Sequence, residues 1–114
     1  AIPNPIDLIH PGVRLHDDEV VVGKHRVNAL YATGLDLALR ANDIRDLVIL
    51  GYATSGVILS TVRYASDLDY NLYVVEDCCS DSDVDVHDFL INRILPRQAD
   101  IVQSDDVIQA LGAL

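Results

Sequence analysis

Four places in this chain of 114 residues carry side chains able to do chemistry. Each follows a short apolar run. Lys24 comes after Glu19–Val22, the quartet Thr54, Ser55, Gly56 and Val57 after Leu47–Leu50, Glu76 and Asp77 after Leu72–Val75, and Ser104 after Ile101 and Val102. A lysine ammonium stabilises a developing oxyanion or keeps a neighbouring carboxylate charged; a solvated lysine at a strand end does neither. Thr-Ser-Gly at a helix start presents hydroxyls and backbone N–H groups to a substrate carbonyl or carboxylate, and the same groups serve equally for capping. Tyr31 and Tyr52 are candidates for a pocket wall, and Tyr73 for the core. Ser55 acts as a nucleophile only with a base beside it, and nothing in the spacing brings His25 or His87 to it. Cys78 and Cys79 read as one packed and one inert thiol. His10, His16 and His25 lack ligand spacing, and the acids of 81–85 read as helix caps, so neither a metal nor a cofactor is expected.

What must position these groups is an α/β fold. Leu47–Leu50 has no polar alternation, the pattern of a strand buried on both faces of a parallel sheet, and Gly51 ends it. From about residue 55 the apolar residues Ile58, Val62 and Ala65 recur at helical spacing up to about 68. Glu19–Val22 predicts a first strand, and Thr33-Gly-Leu-Asp36 a capped helix over about 34–42 closed by Asn42 and Asp43. Leu72–Val75 predicts a third strand. Ser80-Asp-Ser-Asp83 caps a helix bearing Val86, Phe89, Leu90 and Ile94 that Pro96 stops. A short strand at 101–102 and a helix from Ser104 to about Leu111 complete the order. Strand–helix repeated four times implies a mainly parallel sheet with right-handed crossovers. The C-terminal ends of such strands share one edge, and there Lys24, the turn, Glu76, Asp77 and Ser104 would meet.

Residues 1–114 read as one domain, with 1–18, rich in proline, as an extended lead-in. The formal charge of −10 opposes nucleic acid and anionic membrane surfaces as partners. No apolar run reaches the roughly 20 residues of a membrane span, and the first residues do not read as a signal peptide. Two adjacent cysteines form no secreted-type framework, so a cytoplasmic setting is expected. Methionine is absent from position 1 and throughout, as in a processed chain or a part of something longer.

The stretches VVVGKHRVNALYATGLDLALRAN, LVILGYATSGVILSTVRYASDLDYNLYVVEDCCSD and DVHDFL together resemble the isochorismatase-like superfamily of cysteine hydrolases, over about residues 19–110. That superfamily includes nicotinamidases, N-carbamoyl amidohydrolases and isochorismatases. The resemblance implies a three-layer, Rossmann-like α/β domain. It also implies a triad: an Asp at the end of an N-terminal strand, a Lys after the next core strand, and a Cys at a strand-to-helix turn with an oxyanion hole. Position by position, Lys24 matches the lysine, Val57 falls where the cysteine stands, and the aspartate has no counterpart. The strand that would carry it, central in the family's sheet, is absent from this chain. The resemblance further implies a cis peptide bond between Ala53 and Thr54 and a structural role for His87.

Two readings of function follow. One is a hydrolase with a degenerate site that acts without a cysteine on a small carboxylate-bearing substrate, as in isochorismate hydrolysis, where an Asp protonates a vinyl ether and water adds. Its Asp would come from outside this chain. The other is a non-catalytic derivative kept for binding or assembly. Either way the incomplete sheet leads us to expect a homo-oligomer or a separate N-terminal chain that completes it.

Overall fold

The computed structural model describes residues 5–113, so the start of the lead-in lies outside the described residues. The rest of the lead-in is mostly exposed and irregular apart from one 3-10 turn, Pro5–Leu8. The regular elements are α1 (Leu35–Ala41), β1 (Asp46–Tyr52), a wide turn (Thr54–Ile58), α2 (Leu59–Asp67), β2 (Asn71–Ser80), α3 (Val84–Phe89), β3 (Asp100–Val102) and α4 (Ser104–Gly112). Between α3 and β3 the chain continues helically through Leu90–Ile94 and Leu95–Arg97.

The sheet is parallel with the order β1-β2-β3, Ile49 standing opposite Val74 and Val74 opposite Ile101. It has three layers. One face carries the core: Ile58, Val62 and Ala65 from the turn and α2 pack on Leu72 and Val74, with Leu90, Ile91 and Leu95 closing one side and Leu30 another. Tyr73 and Val102 face the other way, where α4 brings Val107, Ala110 and Leu111. The Tyr70 hydroxyl donates to Asp36 at 2.5 Å while the Arg40 guanidinium lies 4.0 Å from the ring centroid, tying α1 to the start of β2. Burial and the bond to Asp36 both raise the Tyr70 pKa.

Four expectations need correction. Leu47–Leu50 is a strand but is not buried on both faces: Leu47 and Ile49 are half-buried on the core side while Val48, Leu50 and Tyr52 are exposed, because α4, the helix on that face, packs against Tyr73 and Val102 and meets β1 only at Val48. Glu19–Val22 is not a strand: it runs irregularly, with Val20 exposed and Val21 and Val22 half-buried, and there are three strands among the described residues. Strand propensity becomes a strand only beside a hydrogen-bonding neighbour, and no described strand lies next to this segment. β2 also runs past Val75 to Ser80, because Gly51 pairs with Cys79 although Ile49 pairs with Val74, so the intervening part of β2 bulges. Glu76 and Asp77 therefore lie within the strand, on that bulge. Finally, the cis bond is Tyr52–Ala53, one residue earlier than expected, and Ala53 is the extended residue that leads into the wide turn. Tyr73 is half-buried on the α4 face.

α1 ends as its sequence suggests. Asp43 takes a positive φ of 55° and donates its N–H to Arg40 O at 3.1 Å. At its start, Thr33 Oγ1 accepts from Leu35 N at 3.3 Å and donates to Ala29 O at 2.8 Å.

Candidate functional site

A strand of a parallel sheet that turns straight into a helix gathers unpaired N–H groups at one point, so the turn after β1 is the natural place for a ligand. Here its backbone is wide: Gly56 N and Ile58 N both donate to Ala53 O, at 3.1 and 3.3 Å, before α2 takes over. Two clamps hold it. Thr54, fully buried, bonds through Oγ1 to His87 Nδ1 of α3 at 2.6 Å. Ser55 donates twice to Asp81 Oδ2, from its N–H at 2.8 Å and from its hydroxyl at 2.5 Å. Asp81 Oδ1 in turn accepts from Asp83 N at 3.1 Å, and Asp83 caps α3 by accepting from Asp85 N and Val86 N.

With so many donors on it, Asp81 is held down to about 2, the Ser55 hydroxyl contributing most, then the Ser55 and Asp83 N–H groups. A carboxylate depressed in the folded state stabilises the fold above its unfolded pKa of about 4, and that contribution is lost as the pH falls from about 4 through about 2. Asp81→Asn is accordingly expected to unfold less steeply with acid than the wild type between those pH values, the two curves being compared by circular dichroism. Equal slopes would show that Asp81 does not hold the turn.

The same device recurs at α4. Ser104 donates its N–H to Asp77 Oδ1 at 2.8 Å and its hydroxyl to Asp77 Oδ2, and these bonds lower the Asp77 pKa. Gln103 and Asp106 form a capping box, and Gln103 also donates to Glu76 at 2.7 Å. Glu76, Asp77 and Ser104 thus build the start of α4.

The other candidates are placed as follows. Lys24 is exposed and donates from Nζ to the carbonyl of Arg26 at 2.9 Å. The segment after it does reach the turn, since a Cβ on Gly56 would stand 3.8 Å from Val27 Cγ1, and Asn28 donates to Ser60 O at 3.1 Å. Val57 lines an apolar groove of about 260 Å³ with Leu30, Leu35, Leu47 and Leu50. Tyr31 and Tyr52 are exposed and do not line that groove. Cys78 is exposed and Cys79 buried; burial raises the Cys79 pKa and keeps it a thiol. Among the described residues, no group of three or more His, Cys, Asp or Glu side chains is gathered to hold a metal, and no helix is long and apolar enough to cross a membrane.

Sequence reasoning took Asp81 for part of the α3 cap and did not connect it with Ser55. The signal available was an acid just beyond the end of β2, the strand next to the one that feeds the turn.

The fold is thus a three-layer parallel α/β domain with a clamped strand-to-helix turn after β1. The family model of the Isochorismatase domain matches residues 4–106, and the chain belongs to that family. It is 35% identical over 95 residues to the uncharacterised isochorismatase family protein YecD of Escherichia coli O157:H7, covering 83% of this chain and 50% of that protein. With maleamate amidohydrolase of Pseudomonas putida it shares 30% identity over 111 residues, covering 97% of this chain and 52% of the enzyme. An isochorismatase family protein of Burkholderia thailandensis superposes with a TM-score of 0.86 at 35% identity, over 90% of this chain and 54% of that one. The chain spans about half the length of these relatives.

Proposed function

We propose that these residues form the turn-bearing part of an isochorismatase-family hydrolase that works without a cysteine nucleophile. The observation that carries this is Val57: it sits on the clamped turn, in the place that the resemblance gives to the cysteine, and its side chain has neither lone pair nor proton. Amide hydrolysis through a thioester has no starting atom there. Addition of water to a vinyl ether needs none, because a carboxylic acid protonates the carbon and water attacks. Lys24 would keep the acid's conjugate base charged, and the turn would orient a small carboxylate-bearing substrate. The acid itself would come from outside these residues.

The purified native assembly is expected to consume isochorismate at a rate unchanged by iodoacetamide and to release no ammonia from maleamate. Ammonia release that iodoacetamide abolishes would sink the reading. Turnover of neither substrate favours a second reading, a binding or assembly protein on the family fold. Two contacts support that alternative. Lys24 is turned back onto the Arg26 carbonyl, and the ionised Asp81 already occupies the Ser55 N–H that an anionic substrate would use.

A further inference from the structure

The N-terminal ends of β2 and β3 share the sheet edge opposite the Thr54–Ile58 turn. There the chain forms a depression of about 440 Å³ between the last turn of α2 and residues 96–100, which lead into β3. Leu72 and Ala99 of its lining are buried, and the surface left open is mostly polar, unlike the apolar groove beside Val57. Its polar groups are unevenly satisfied. The Tyr70 hydroxyl is taken by Asp36, and Gln98 Oε1 accepts from Arg63 Nη1 at 3.0 Å. That bond fixes the Gln98 amide and leaves its Nε2, a donor, without a partner among the described residues. Arg97 and Asp100 line the same depression and are both exposed, yet among the described residues neither enters an ion pair, with the other or with any third group. A cation and an anion thus face one space with their charged ends too far apart to meet.

We propose that this depression binds a small zwitterion, a free α-amino acid, which spans the gap from Arg97 to Asp100. The guanidinium fork matches a carboxylate with two parallel N–H bonds. The Asp100 carboxylate only accepts, and an α-ammonium only donates. Gln98 Nε2 and the Ser66 hydroxyl, on the same lining, remain for a polar side chain. The two signs select the ligand class. A simple anion would satisfy Arg97 but face Asp100, on a chain whose formal charge of −10 already repels it. A simple cation would satisfy Asp100 but face Arg97. A zwitterion carries no net charge and meets both. The polar lining gives a long apolar side chain nothing to be buried against, so a small polar one fits best. The site lies at the far edge of the sheet from the turn, and it stands whether or not the hydrolase reading does.

Equilibrium dialysis of the purified native assembly against isotopically labelled L-serine tests this without any turnover assay. Expected is one serine bound per chain with a Kd of about 1 mM, as suits two charged contacts in an open site. Glycerate, in which a hydroxyl replaces the ammonium, and serine methyl ester, which lacks the carboxylate, should each compete roughly tenfold less well than serine. Arg97→Gln and Asp100→Asn should each weaken binding by about tenfold or more and keep the circular dichroism of the chain, because both side chains are exposed. Absence of saturable binding up to about 20 mM overturns the proposal. So does competition by glycerate or the ester equal to that of serine, and so does serine held as tightly by Arg97→Gln as by the wild type.

Discussion

Ile58→Ala lowers the free energy of unfolding by about 2–5 kcal/mol. Ile58 closes the wide turn and is 1% exposed, packed in the cluster that joins α2 to β2. Truncation removes three carbons from a site whose neighbours belong to three different elements, so the space does not refill by a single shift. For a domain of this size total stability is about 5–15 kcal/mol, and an uncovered sheet edge lowers that margin. Urea unfolding should show a lower midpoint with an unchanged slope. A loss under about 1 kcal/mol would mean that the turn is held by its polar clamps alone and that its apolar underside is idle.

Gly51→Ala is the second large effect, and its cause is different. Gly51 has a φ of +137°, a conformation that L side chains rarely adopt, yet the nearest atom to an added Cβ is Ile58 Cδ1 at 4.0 Å. There is room for the methyl group but no backbone freedom for the residue that bears it, and the expected loss is about 1–3 kcal/mol. Gly56→Ala provides the control. No positive φ marks Gly56, its Cβ would meet Val27 Cγ1 at an ordinary 3.8 Å, and it lies in a helical turn where alanine is favoured by up to about 1 kcal/mol. The two glycines, five residues apart, should therefore shift the midpoint of thermal unfolding in opposite directions. Equal losses at both would place the strain in the turn as a whole and not at Gly51.

The sequence was informative wherever a segment's own pattern decides its structure. Leu47–Leu50, free of polar alternation, became β1; Ile58, Val62 and Ala65 at helical spacing became the buried side of the turn and α2; Asp83 capped α3. It was silent where the deciding partner is remote. Glu19–Val22 has the composition of a strand and no ladder to join. The bulge that takes β2 on to Ser80 follows from its register with Gly51 and Tyr52, which no local pattern encodes. The site divides in the same way. Thr54, Ser55, Gly56 and Val57 announced themselves as a helix start, whereas the Asp81 and His87 clamps depend on which strand lies beside which. Lys24 illustrates the limit from the other side: its type suggested a partner at the turn, and its short-range bond to the Arg26 carbonyl is a contact that local geometry supplies.

The two serine–aspartate clamps carry a consequence for how the molecule comes into being. Ser55 waits for Asp81, 26 residues further on, and Thr54 waits for His87, 33 further on, whereas Asp77 precedes its serine, Ser104, by 27. A chain made from its N-terminus therefore cannot fix the turn after β1 until β2 and the start of α3 have been synthesised. The helix start at α4, by contrast, meets its acceptor already in place. The nascent protein passes through an interval in which β1 is complete and its turn untethered, and the arrival of Asp81 and then of His87 brings that interval to an end.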